Sequence, residues 1–203
     1  MLNCAEDNEA RLVGYISSNL EYSHAVLGES FYKVSVRSER LSENEDEIIV
    51  TVSERLITDM DLDVGVKVEI IGQFRSYNNY SGEGSRLILT LFAREISFTD
   101  EECDNEIYLN GYICKPAIFR TTPFGREIAD ILLAVNRAYG KSDYIPCIAW
   151  GRNAKFAEAM PVGANIRIWG RMQSRKYQKK IDDETIVEKT AYEVSVSKLE
   201  LVN

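Results

Sequence analysis

In the last third of this 203-residue sequence, aromatic residues recur beside cations: Arg137 with Tyr139, Trp150 with Arg152, and Arg175-Lys176 with Tyr177. A flat π-face next to a cation suits a flexible polyanion that carries planar groups. Bases stack on such rings at about 1–3 kcal/mol each, and cations neutralise the phosphates. Three or four rings of this kind would hold unpaired strands at micromolar affinity or better. Nothing comparable points to bond-making. The single histidine is His24, and there is no nucleophile motif and no phosphate loop. Cys4, Cys103, Cys114 and Cys147 show no C-x-x-C spacing. A zinc site is therefore not expected, and the thiols read as reduced residues of a reducing compartment. Asp59-Met-Asp-Leu-Asp-Val-Gly65 invites a calcium reading, but Val64 and Ile70 stand where such a loop needs glycine and glutamate. Neither metal, cofactor nor small-molecule substrate is expected, and the chain does not read as an enzyme.

The net charge of −8 argues against nucleic acid only if it is averaged over the whole chain. Residues 1–104 carry 9 Lys/Arg against 21 Asp/Glu, a net of −12, whereas residues 105–203 carry 15 against 11, a net of +4. Such asymmetry marks two modules with different electrostatic roles. The acidic start lacks the basic and apolar regions of a signal peptide, and apolar runs such as Ile128–Val135 are broken by charge well short of a bilayer span. A cytoplasmic chain without membrane contact is expected.

The two modules are related. Leu12-Val-Gly-Tyr-Ile16 recurs as Leu109-Asn-Gly-Tyr-Ile113, and Val64-Gly-Val-Lys-Val-Glu-Ile-Ile-Gly72 recurs as Val162-Gly-Ala-Asn-Ile-Arg-Ile-Trp-Gly170. Two copies predict a duplicated domain rather than a solenoid. The copies span 1–98 and 107–203, with the acidic segment 99–106 as linker. Both are rich in period-two alternation, as in Phe31–Val36, Glu47–Val52, Leu87–Leu91, Ile145–Trp150 and Ala191–Val196. Pro146 predicts an edge position or a bulge in its strand. One short helix is predicted over Asn153–Met160, with Asn153 as its cap, and a helix-compatible segment over Ser53–Met60 matches it. Strands, a short helix, then more strands in about 95 residues fit a small closed barrel, although the pattern alone also permits a sandwich.

Residues 107–201 resemble the bacterial single-stranded DNA-binding protein family. Its motifs appear in order as Leu109–Ile113, Arg120-Thr-Thr-Pro-Phe-Gly125, Leu133-Ala-Val-Asn-Arg137, Asp143-Tyr-Ile-Pro-Cys-Ile-Ala-Trp-Gly-Arg152 and Gly170-Arg-Met-Gln-Ser-Arg-Lys-Tyr177. The resemblance implies an all-β chain of two tandem five-stranded OB-fold barrels, each with a short helix. It places stacking rings at Tyr139, Tyr144, Trp150 and Tyr177, and backbone contacts at Arg120, Arg137, Arg152, Arg175 and Lys176. Lys179 and Lys180 extend that cationic hairpin. Trp169 alternates away from the others and is left out. The implied function is sequence-independent binding of single-stranded DNA in replication, recombination or repair, by a nucleoid-associated homodimer displaying four barrels. Family members commonly end in an acidic, partner-recruiting tail. The sequence ends at Leu201-Val-Asn203, so a specialised or phage-like version is expected.

The first copy reads as a poorer binder. Ungapped alignment sets Glu47 against Tyr144 and Ser53 against Trp150. Counted from the shared glycines, Asn79, beside Tyr80, falls against Tyr177. With the first copy taken as two residues longer near Tyr139, Arg40 is the nearest match to that ring. A carboxylate where a base would stack repels phosphate. Tyr77 and Tyr80 with Arg75 and Arg86 leave contact by a different face open. A structural or partner-binding role is the expectation for this copy. The rival for the whole chain is an assembly protein that reuses the barrel without touching nucleic acid.

Overall fold

The computed structural model describes residues 6–40, 44–78, 87–180 and 186–202. Cys4, Asn79, Tyr80 and Arg86 lie outside the described residues, as do the side chains of Lys179 and Lys180. The first half runs β1 (Asn8–Ile16), β2 (Glu21–Val26), β3 (Glu29–Glu39), β4 (Glu45–Ser53), α1 (Glu54–Ile57), β5 (Lys67–Asn78) and β6 (Leu87–Phe98). The second repeats the order as β7 (Asp104–Ile113), β8 (Ile118–Thr121), β9 (Glu127–Arg137), β10 (Lys141–Trp150), α2 (Arg152–Glu158), β11 (Asn165–Lys180) and β12 (Ile186–Leu201).

Pairing closes each half into a five-stranded barrel. β1 pairs with both β3 and β5, β3 with β4, β5 with β6, and a parallel pairing of β4 with β6 completes the circuit. β7, β9, β10, β12 and β11 repeat it, again with one parallel contact, β10 to β12. The doubly paired first strand explains the glycine of the repeat. A Cβ on Gly14 would collide with the Arg37 carbonyl, and one on Gly111 with that of Ala134. Alternation fills the interiors: Leu12, Ile16, Val36, Ile48, Val50, Ile70, Phe74 and Leu91 in one barrel, and Leu109, Ile113, Leu133, Ile145, Ile168 and Met172 in the other. No helix among the described residues is long and apolar enough to cross a membrane.

Four details differ from expectation. Each half has a sixth strand outside the barrel, β2 on β3 and β8 on β9, because the long first hairpin extends past the closed circuit. β7 begins at Asp104, within the segment read as linker, because β1 offers its free edge there. Pro146 makes no bulge against β9; it sits one residue before β10 meets β12, where the missing N–H breaks no ladder. Asn153 does not cap α2. Gly151 stands at the cap, and the Asn153 amide donates to the Ser197 carbonyl instead. In the first half, Ser53 does cap α1, accepting from the Arg55 N–H.

The halves join as a near-symmetric pair. β1 runs antiparallel to β7, pairing Asn8 with Leu109 and Leu12 with Asn105, so the duplicated positions exchange partners. Asn8 brackets the Phe74 backbone with bonds of 2.8 and 2.9 Å, and Asn105 brackets Met172 with bonds of 2.7 and 2.9 Å. Across the seam, buried Asp143 accepts the Ser76 N–H at 2.8 Å and buried Asp46 accepts the Ser174 N–H at 3.2 Å. Ser76 Oγ takes the Tyr144 N–H and Ser174 Oγ that of Glu47.

Candidate nucleic-acid interface

β10 sends Ile145, Cys147 and Ala149 inward and Tyr144, Pro146, Ile148 and Trp150 outward. Tyr144 is therefore 47% exposed and Trp150 36%, although both stand on a core strand. They lie six residues apart, about 20 Å along the strand. Trp150 Nε1 donates to Ser195 Oγ at 3.2 Å, which orients the indole. Its row continues across β9 to Arg120 on β8, and the row of Tyr144 continues through Ala134 to Tyr112 on β7. Tyr112 is an exposed ring that the sequence reading missed. It lies in the Gly111-Tyr112 repeat, whose counterpart Tyr15 supports only a lysine, Lys67, 5.2 Å from its ring centre.

Arg175, Lys176 and Tyr177 are all exposed on β11, and the Arg175 guanidinium lies 5.8 Å from the Tyr177 ring centre. Two acids restrain these cations: Glu193 lies 3.7 Å from Arg175 and Glu188 lies 3.2 Å from Lys176. Tyr177, Pro146 and Tyr192 share a cavity of about 410 Å³ with Ile49 and Leu87–Leu89 of the first half. Burial pushes the Tyr192 phenol up, and Glu47 across the seam adds to the effect. Tyr139 is 99% exposed on the Ala138–Gly140 turn, in left-handed backbone at φ 63°. Arg152 opens α2 in solvent and makes no ion pair among the described residues. Arg120 is exposed but bonded to Asp130 at 2.8 Å, and that bond raises its pKa further.

Arg137 departs from its expected place beside Tyr139. Its side chain is only 21% exposed and turns into the seam, 3.6 Å from Asp143 and 5.8 Å from the Tyr77 ring centre. Its Nε has no hydrogen-bond partner among the described residues. The strand register shows why. Arg137 corresponds to Arg40, which forks onto Asp46 as Arg137 faces Asp143, so the expected match of Arg40 to Tyr139 is two residues out. Trp169 lies on another face, 5.2 Å from Tyr108 with Lys198 at 4.4 Å.

The first half has a different outer face. Glu47 and Ser53 occupy the positions of Tyr144 and Trp150, and Ser53 Oγ is bonded to Glu29, which also pairs with Arg55. The hydrogen bond from Arg55 lowers the pKa of the Glu29 carboxyl, holding it anionic. Beside it runs a ladder that the alternation did not reveal: His24 stacks on Phe31 at 5.1 Å, Phe31 meets Phe92 at 5.7 Å, and Arg75 lies 3.8 Å over Phe92. Arg75 thus serves Phe92 rather than Tyr77.

Two OB barrels joined through their first strands, one presenting outward rings among arginines, define a tandem OB-fold protein. Residues 104–202 match the model of the single-strand binding protein family. The second half of the chain is thus similar to that family. Single-stranded DNA-binding protein 3 of Streptococcus agalactiae is 36% identical over 81 residues, 36% of this chain and 59% of the relative. Single-stranded DNA-binding protein A of Bacillus subtilis is 33% identical over 81 residues, 36% of this chain and 47% of the relative. The chain spans about half the length of the curated relatives it matches. Over its whole length the fold is similar to the crystal structure of the wild-type single-stranded DNA binding protein from Thermus aquaticus, with a TM-score of 0.73 at 17% identity, covering 97% of this chain and 93% of that one.

Proposed function

We propose that this chain binds single-stranded DNA with little sequence preference, as part of replication, recombination or repair. The observation that carries the reading is the outward placement of Tyr144 and Trp150 on a strand whose other face is core, with Tyr177 and Arg175 on the neighbouring hairpin and Tyr139 on the adjoining turn. Rings held on a rigid barrel lose little freedom when a base settles on them, and every base has a π-face, so such a surface tolerates any sequence. Arg152, Arg175, Lys176 and Arg120 stand around these rings as backbone contacts. Arg137 contributes from the seam, as positive potential rather than direct contact.

The second half, from the start of β7, is the binding domain in this proposal, and the first half serves assembly and partner contact. Glu47 and the Glu29–Ser53–Arg55 cluster fill its equivalent face with carboxylates, which favours a protein partner over phosphate there. A homodimer would then display four barrels, two of them binding strand. The test is oligo-dT titration of the full chain, followed by tryptophan fluorescence at several salt concentrations. Quenching with affinity that falls as salt rises supports the reading. A full-length chain that stays bright at saturating oligo-dT in low salt refutes it and leaves the protein-assembly alternative.

A further inference from the structure

Beside Trp150, at the mouth of the seam, a cavity of about 510 Å³ is lined by Arg40 from the first half and by Arg126, Arg171, Gln173 and Arg175 from the second. Two carboxylates serve these four guanidinium groups. Asp46 holds Arg40 through Nε at 2.6 Å and lies 3.5 Å from Arg171, while Glu193 lies 3.7 Å from Arg175 and also takes the Gln173 amide at 2.6 Å. Asp46 is 1% exposed and further committed to the Ser174 N–H, so it has little left for a second cation. Arg126 is exposed and makes no ion pair among the described residues. On a chain of net charge −8, this cavity is lined by four arginines and no carboxylate, although Arg40 and Arg171 also border Glu39 and Asp104 on their other side. Burial lowers the Arg171 pKa and the neighbouring Arg40 charge lowers it further, against the opposite pull of Asp46.

The duplication supplies an internal control. Stepping back by the repeat, Arg126, Trp150, Arg171 and Arg175 correspond to Glu29, Ser53, Gln73 and Tyr77, and only Arg40 keeps its arginine, as Arg137. A cavity that merely followed from packing two barrels together would appear on both sides with the same chemistry. The counterpart cavity, about 370 Å³, also carries Arg75, Arg94 and Arg137, but Glu6 and Asp7 line it with them and no indole does, whereas no carboxylate lines the one beside Trp150.

We propose that this cavity is a phosphate-binding subsite for unpaired strand, assembled by both halves, in which Arg126 and Arg171 take backbone phosphates flanking the base that stacks on Trp150. The inference rests on the single-strand binding reading above and gives the acidic first half a direct part in it, through Arg40 and the neighbouring Asn44. A strand leaving Trp150 would run toward the seam rather than away from it.

The experiment is a salt series of oligo-dT affinities for the full chain, its Arg126→Ala and Arg126→Ala/Arg171→Gln variants, and Asn44→Asp. Each lost phosphate contact should flatten the plot of log K against log salt by about 0.7, so the double variant should lose about 1.4. Asn44→Asp, which brings a carboxylate in from the first half, should weaken binding about threefold or more at low salt. Thymidine monophosphate at millimolar concentration should quench Trp150 in the parent chain more than thymidine does. Should the double variant fail to fold, the exposed Arg126→Ala and the mononucleotide comparison decide alone. A parent chain that binds, with folded Arg126→Ala and Asn44→Asp variants that keep its slope and affinity, overturns the subsite and leaves the general reading intact. A parent chain that ignores oligo-dT overturns both.

Discussion

The outward ring of Tyr144 offers a graded test, because the duplicated half shows what replaces it. Glu47 holds the equivalent position there, so Tyr144→Glu copies a substitution the fold already carries. Tyr144 is half exposed and its backbone N–H is satisfied by Ser76 Oγ whatever the side chain, so the variant should fold. Removing the ring loses the stacking of one base, about 1–3 kcal/mol. A carboxylate about 6 Å from a phosphate adds roughly 0.7–2.8 kcal/mol of repulsion for an effective dielectric constant between 80 and 20. The sum, about 2–6 kcal/mol, is a loss of roughly thirtyfold or more. Tyr144→Ala should lose only the stacking share, and Tyr144→Phe, which keeps the π-face, should bind within about threefold of the parent. Fluorescence titration with oligo-dT at two salt concentrations measures all three, and the Glu variant alone should change the salt slope. Equal affinity for Ala and Phe would show that no base rests on this ring.

Other outcomes follow from the seam, the barrel closure and the buried thiol. Asp143→Ala strands the Ser76 N–H and leaves Arg137 facing no anion, so chemical denaturation should show a loss of about 3–5 kcal/mol. Gly111→Ala drives a methyl into the Ala134 carbonyl where β7 passes between two partners, and the melting temperature should fall by several degrees or more. Cys147 is fully buried, and desolvation pushes its thiol pKa up. Its folded pKa exceeds the unfolded one, so its contribution is intact below about pH 8.5 and is lost above that. Denaturation at pH 8, 9 and 10 should show stability falling by up to about 1.4 kcal/mol per unit, and Cys147→Ala should flatten that trend. A pH-independent stability across this window would rule it out.

Much of this architecture is legible in the residues. The family motifs single out Tyr144 and Trp150 without coordinates, and the structure turns both outward while Ile145, Cys147 and Ala149 face the core. The glycines of the repeat mark the strand that closes both barrels. What the alternation does not carry is partnership across the seam. Arg137 neighbours Tyr139 in the chain but turns to Asp143, because an arginine on a strand end follows the nearest buried carboxylate rather than its sequence neighbour. The ladder joins the hairpin of His24 and Phe31 to the distant Phe92, and the cluster of Arg40, Arg126 and Arg171 is drawn from three distant segments. Their meeting depends on barrel register, which no local pattern encodes. The extra strands β2 and β8 were missed for a related reason: their side chains are mostly exposed, so they show no buried face to read.

The reciprocal bonds of Asp46 and Asp143 have an evolutionary corollary. In a dimer of identical chains every substitution lands twice, so a carboxylate that suits one subunit's exterior is forced on the other. Covalent fusion frees the two copies from that constraint while the first strands still fix a one-to-one partnership. Glu47 can exist without a Glu at Tyr144, and Arg126 without an Arg at Glu29. Asymmetry of outer surfaces over a symmetric junction is thus something this gene can tune one side at a time.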